Sequence, residues 1–169
     1  QLEEALRVQH RALVIHRQIS NTFSEGITLG TIGELHCQLR QYTRAKSALE
    51  RAIGLCDKDN PQIAGAFRGT LAWIYAQESD HDMAASLLEK GESQVGLYPE
   101  QYVPFLCKKG EVHLIANQIE QAERALLQAQ QCFKEINNKE SSKAAMMLDK
   151  LQIQLEEHSD APQTEQKLD

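Results

Sequence analysis

Residues 29–52 carry Leu29, Ile32-Gly33 and His36, then Tyr42, Ala45, Leu49 and Ala52. Apolar residues three and four apart place one face of a helix toward a partner. Here two such faces are separated by Gln38-Leu39-Arg40-Gln41. A pattern that stops and resumes within four residues predicts two antiparallel helices. The small residues Gly33 and Ala45 would then stand where the two backbones approach closest.

The same frame recurs. Leu71-Ala72, Tyr75, Ala84, Leu88 and Gly91 follow 39 residues later. Lys109-Gly110, His113, Ala122, Leu126 and Ala129 follow 38 residues after those. Each copy reads large or long, small, ring, then Ala, Leu and a small residue. Gly33, Ala72 and Gly110 are expected opposite Ala45, Ala84 and Ala122. One hairpin cannot bury its apolar faces alone, so repeated hairpins stack into a solenoid. The N-terminal segment repeats the second half only, with Ala5 and Ala12 in the matching places. The last segment supplies a further first half through Leu148 and Leu151.

Eight helical segments are predicted, over 2–19, 24–39, 42–57, 61–77, 81–95, 100–116, 119–136 and 139–157. Asp59-Asn60-Pro61 offers an N-cap followed by proline at the first helical position. Ser79-Asp80 offers another cap, and Tyr98-Pro99 another start. Asn137-Asn138 breaks the pattern after Ile136. The fold class is all-α, a right-handed α-α superhelix of about eight antiparallel helices. Its organisation is a partial repeat over 2–19, repeats over 26–59, 65–98 and 103–136, and a terminal capping helix over 139–157. A flexible acidic tail over 158–169 follows, too poor in apolar residues to fold on its own.

Composition agrees. Ala, Leu, Gln and Glu make up 73 of the 169 residues, while Val and Ile total 16. Helix formers therefore outweigh strand formers. The net charge of −6 argues against nucleic acid as the main partner. Residues 156–169 hold five acids and one Lys, so most of that charge lies in the tail. Cys37, Cys56, Cys107 and Cys132 form no CxxC pair and read as small buried hydrophobes in a reducing, cytoplasmic setting. No apolar stretch is long enough to cross a membrane. The chain begins Gln1-Leu2-Glu3-Glu4 rather than with Met, which suggests a piece of a longer protein.

The frame resembles the tetratricopeptide repeat, whose consensus runs W-x2-L-G-x2-Y, then A-x3-F and a closing Pro. The best match is Leu29-x2-Ile32-Gly33-x2-His36 with Tyr42, Ala45, Leu49 and Ala52. The usual period is about 34 residues, and the longer period here is similar to kinesin light chains and bacterial signalling proteins. The closing Pro is displaced to Pro61 and Pro99 and is missing after the third repeat. Lys109 and Gln77 are unusual choices for their positions.

The resemblance implies a concave groove, lined by the first helices, that binds a peptide or protein partner. Its positions fall on three sets. The first is Ile27, Gly30, Thr31, Glu34 and Gln38. The second is Ala66, Gly69, Thr70, Trp73 and Gln77. The third is Pro104, Cys107, Lys108, Glu111 and Ile115. Gly30-Thr31 and Gly69-Thr70 would leave a shallow floor where a partner backbone lies close. Trp73, the only Trp, is either a binding anchor or a residue covered by a neighbouring helix. The chaperone-binding subset uses a clamp of Lys, Asn and Arg, and only Lys108 is present here.

Chemistry finds little support. His36 and His113 occupy the ring position of the frame, a packing position. His10 and His16 lie on different helix faces, and His81-Asp82 opens a helix. Gly26, Gly30 and Gly33 lack the strand and the GK[ST] that a phosphate loop needs. No cofactor and no metal is expected, and no enzyme activity. The expected role is a binding module in a regulatory, signalling or scaffolding protein. The alternative is a self-associating module, with a homodimer through the end helices; a catalytic helical domain is a further alternative.

Overall fold

The computed structural model describes residues 1–136 and 142–160. Its elements are α1 (Leu2–Gln18), α2 (Thr22–Gln38), α3 (Tyr42–Cys56), α4 (Pro61–Gln77), α5 (His81–Val95), α6 (Pro99–Ile115), α7 (Ile119–Glu135) and α8 (Ser142–Asp160). Every regular element among the described residues is helical. Helices pack consecutively, with α2 on α3, α4 on α5 and α6 on α7 as the three tightest pairs. The first helices also touch one another, α4 reaching both α2 and α6. This is a helical repeat solenoid.

The turns explain the regularity. Ser20, Arg40, Ser79 and Asn117 all hold φ between 55° and 64°. In each case the next amide donates to the carbonyl five residues back: Asn21 to His16, Gln41 to His36, Asp80 to Tyr75, and Gln118 to His113, at 2.8–2.9 Å. The left-handed residue's own amide closes onto the carbonyl three back, as Arg40 does on Cys37 at 3.0 Å. That pair of bonds satisfies the last free carbonyls of the helix. Pro61 and Pro99 start α4 and α6 at the first turn, where a missing N–H costs nothing.

Three expectations change. First, α1 is joined to α2 by the same left-handed turn that joins first to second helices. Its packing on α2 is that of α3 on α4 rather than that of a hairpin pair, and its buried residues are Leu6 and Leu13 rather than the expected Ala5 and Ala12. It holds to the array through Leu6 and Leu13. Second, Asn60 precedes Pro61 without a side-chain cap, whereas Asp80 does cap, accepting from the Met83 amide at 3.1 Å. Ser79 is instead the left-handed residue. Third, α8 runs to Asp160, into the stretch expected to be tail. The Asn137-Asn138 break, residues 139–141 of the expected last helix, and residues 161–169 lie outside the described residues.

Packing follows the repeat. Ala45, Ala52, Ala84 and Ala122 are at most 1% exposed. A Cβ on Gly33 would meet Leu49 at 2.6 Å and the Ala45 carbonyl at 3.3 Å, the close approach expected there. At Gly110 the approaching group is Leu151 of α8, at 2.5 Å, rather than Ala122. So α8 packs on α6 and α7 as a further first helix, through Ala144, Leu148, Leu151 and Leu155. Its outer side is mixed, with Asp149, Gln152 and Glu156 exposed beside Met146 and Ile153.

Candidate functional site

The first helices and α8 enclose an open cavity of about 270 Å³ on one side of the array. Helix α2 contributes Glu34, Cys37 and Gln38, and α4 contributes Ala66 and Thr70. Helix α6 contributes Pro104, Phe105 and Lys108, and α8 adds Lys143, Met147 and Lys150. Residues 34 and 38 share a face because they are four apart, as do 66 and 70, and 104 and 108. Side-by-side first helices then place these faces together. Six residues expected in the groove meet here: Glu34, Gln38, Ala66, Thr70, Pro104 and Lys108.

The other expected residues are placed differently. Gly30 and Gly69 do not form an open floor. A Cβ on Gly30 would lie 1.9 Å from the tip of Phe67, and one on Gly69 would lie 2.9 Å from Phe105. Each glycine makes room for a ring on the next first helix. Phe67 and Phe105 stand 38 apart in the same frame position, a signal present in the sequence. Cys107 is buried, and Ile27, Thr31 and Ile115 are partly buried away from the cavity. The Thr31 hydroxyl donates to the Ile27 carbonyl at 3.1 Å. Gln77 is exposed at the end of α4.

Trp73 is neither a free anchor nor a covered residue. It is partly buried, with Tyr42 edge-on at 6.0 Å and the Lys108 ammonium 5.3 Å from the centre of its ring. A cation over the face of Trp is attracted by the ring's negative face.

Glu111 is 5% exposed and accepts from Lys108 at 2.7 Å and from Lys150 at 2.6 Å, one bond to each oxygen. Burial alone would push its carboxyl up. The two lysines outweigh that and hold it below the usual range. Lys143 lies 3.6 Å from Glu34, so α8 reaches across the cavity to α2. Lys143, Met147 and Lys150 are spaced four and three, one helix face. That signal was legible, but nothing in the sequence showed that the face turns toward the groove.

The ring positions behave as packing positions with one polar duty. His36 Nδ1–H donates to Gln41 Oε1 at 2.8 Å, and His113 Nδ1–H to Gln118 Oε1 at 2.7 Å. Burial lowers the pKa of His113. Burial raises the Cys37 thiol, and pushes Cys107 up to about 12, so both stay protonated at neutral pH. All four cysteines are free, Cys56 and Cys107 being the buried ones. Among the described residues, no group of three His, Cys, Asp or Glu is placed to hold a metal ion. No helix among them is long and apolar enough to cross a membrane. What the cavity offers is ammonium groups, the Glu34 carboxylate, a thiol, a hydroxyl, an amide and apolar wall.

Residues 28–59, from within α2 to just past α3, match the family model described as tetratricopeptide repeat. The array fits a tetratricopeptide-type repeat. No curated protein and no solved structure matches the chain. The second and third tetratricopeptide-like hairpins lie beyond the matched residues. They share its frame and its left-handed turn, and they supply Phe67 and Phe105, which fill the gaps over Gly30 and Gly69. Tetratricopeptide repeats in general mediate protein–protein interaction and are non-catalytic.

A second polar cluster was not anticipated from sequence. Arg68, 4% exposed, donates to both Asp57 oxygens at 2.7 and 2.9 Å and to Gln94 at 2.5 Å. Gln94 donates in turn to Asp57 at 2.8 Å, and Lys90 donates to it at 3.2 Å. The cluster ties the end of α3 to α4 and α5. An arginine amid Ala66, Phe67, Gly69 and Leu71 was its only trace in the sequence.

Proposed function

We propose that this chain is a protein-interaction module that receives a segment of a partner protein in the cavity lined by α2, α4, α6 and α8. The observation that carries the reading is the convergence of six groove residues from three hairpins on one cavity, with Lys143, Met147 and Lys150 closing one side. Pockets that combine apolar wall with a few polar groups are the usual binding surfaces. The setting we favour is a larger regulatory or scaffolding protein in the cytoplasm, with no reaction of its own.

Affinity capture tests this. Ala66→Trp fills the cavity from its α4 wall, while Leu127→Gln alters an exposed residue of α7, outside the cavity. Proteins retained by the unaltered chain should be lost with Ala66→Trp and kept with Leu127→Gln. Equal retention by both variants would place binding elsewhere. Trp73→Ala, if folded, asks whether the ring beside Lys108 contributes.

A second reading, self-association, rests on α1. Val8, Ile15 and Ile19 are 53%, 54% and 63% exposed and share one stripe. Helix α8 adds Met146 and Ile153, 71% and 53% exposed and seven apart on one face, so both end helices bear on this reading. Light scattering over a dilution series decides it. A mass that stays monomeric at high concentration removes this reading, and a dimer abolished by Ile15→Lys supports it.

A further inference from the structure

We propose that the cavity takes an acidic side chain from an internal segment of the partner, with an adjacent apolar side chain packed on Met147 and Pro104. This rests on the groove reading above and names the chemistry of its partner. Three ammonium groups, from Lys108, Lys143 and Lys150, face or border the cavity. Two carboxylates accompany them, Glu34 and Glu111. The set is one positive charge in excess, which a single carboxylate neutralises.

The two carboxylates play unequal parts. Glu111 is buried, and its two short bonds fix Lys108 and Lys150 in place while leaving each ammonium further N–H donors. The Glu34–Lys143 pair is loose at 3.6 Å, and Lys143 is 78% exposed. An exposed pair of that kind is readily exchanged for another carboxylate. Thr70 and Gln38 add a hydroxyl and an amide to the lining. The walls made by Ala66, Pro104, Phe105 and Met147 argue for a side chain with apolar neighbours over a free inorganic anion. The cation set is local, in a chain of net charge −6, which argues against a nucleic-acid backbone. Two of the three lysines come from α8, beyond the third hairpin, so a terminal carboxylate on the partner is not required.

Trp73 provides the readout, because Lys108 lies over its ring and it is the only Trp. The full chain is titrated with an N-acetylated, C-amidated peptide of alternating Glu and Leu, with the same peptide carrying Gln for Glu, and with inorganic phosphate. Trp73 emission and calorimetry are followed together. The acidic peptide should bind at least about tenfold more tightly than the Gln peptide, and added salt should narrow the gap. Lys143→Glu, at an exposed position, should abolish the preference with no change in melting temperature. Lys150→Gln should reduce it.

Equal binding of the two peptides overturns the acidic preference and leaves the groove reading standing. Binding of phosphate as tight as that of the acidic peptide overturns it too, since any anion would then do. So does a preference that survives Lys143→Glu, or the absence of binding by either peptide. The groove reading itself fails only if Ala66→Trp leaves partner capture intact.

Discussion

Arg40 sits in a left-handed conformation, φ 57°, that costs a residue with a Cβ about 1 kcal/mol. Asn117 holds the same φ but tolerates it better, since its short polar side chain suits that region. Arg40→Gly should therefore stabilise the chain by about 1 kcal/mol, and Asn117→Gly by clearly less, in urea unfolding at neutral pH. Glycines inside helices show the opposite sensitivity. At Gly54 a Cβ meets nothing within 4 Å, so Gly54→Ala should stabilise by roughly 0.5–1 kcal/mol through helix propensity. At Gly30 the same change drives a methyl into Phe67, and Gly30→Ala should destabilise by about 1–3 kcal/mol. The two substitutions look alike in sequence, both being Gly in a helix. What distinguishes them is the ring that arrives 37 residues later in the chain.

Between elements, the connection from α3 to α4 is held by Asp57 and Arg68. Removing the carboxylate leaves a buried guanidinium with Gln94 as its remaining partner. Asp57→Ala should cost about 3 kcal/mol, at the low end for breaking a buried pair because Asp57 itself is a third exposed. The Arg68 guanidinium, helped by Gln94 and Lys90 and opposed by burial, holds the Asp57 carboxyl far below the usual range. Its folded pKa lies below its unfolded one. The pair's contribution is therefore complete above about pH 5 and is lost as pH falls below the ordinary aspartate pKa. Stability of the native chain and of Asp57→Asn, measured at pH 7 and pH 3, should differ most at pH 7 and converge on acidification. A difference that grows in acid would contradict the assignment.

As a whole molecule, the chain is a stack in which helix packing joins neighbouring hairpins, with the exposed Lys143–Glu34 pair reaching further, so damage should stay largely local. Leu151 is fully buried and fills the space over Gly110. Leu151→Ala should cost roughly 2–5 kcal/mol. Hydrogen exchange should rise in α6, α7 and α8 while α2 and α3 keep their protection. Uniform loss of protection along the chain would show a single cooperative unit instead. The same stacking places α8 on the cavity, since it packs on α6 where a further first helix would lie.

The helices, their pairing into hairpins and their repeat were legible in the sequence. Periods of 3.6 and about 38 residues are local and repetitive, and each copy reports the same contacts. Small residues at Gly33 and Ala45 marked the close approach because nothing larger fits there. Whether a glycine faces solvent or a ring was not legible, as Gly30 and Gly69 show, because the filling residue comes from the next repeat. Nor was the pairing of Arg68 with Asp57, or of Glu111 with Lys150, 39 residues apart. The sequence by itself determined which segments are helical and which faces are apolar, since propensity and periodicity act within a turn or two. Only the tertiary structure decided which polar groups meet in the cavity and which glycines are filled, because burial and charge pairing depend on neighbours that the local pattern does not name.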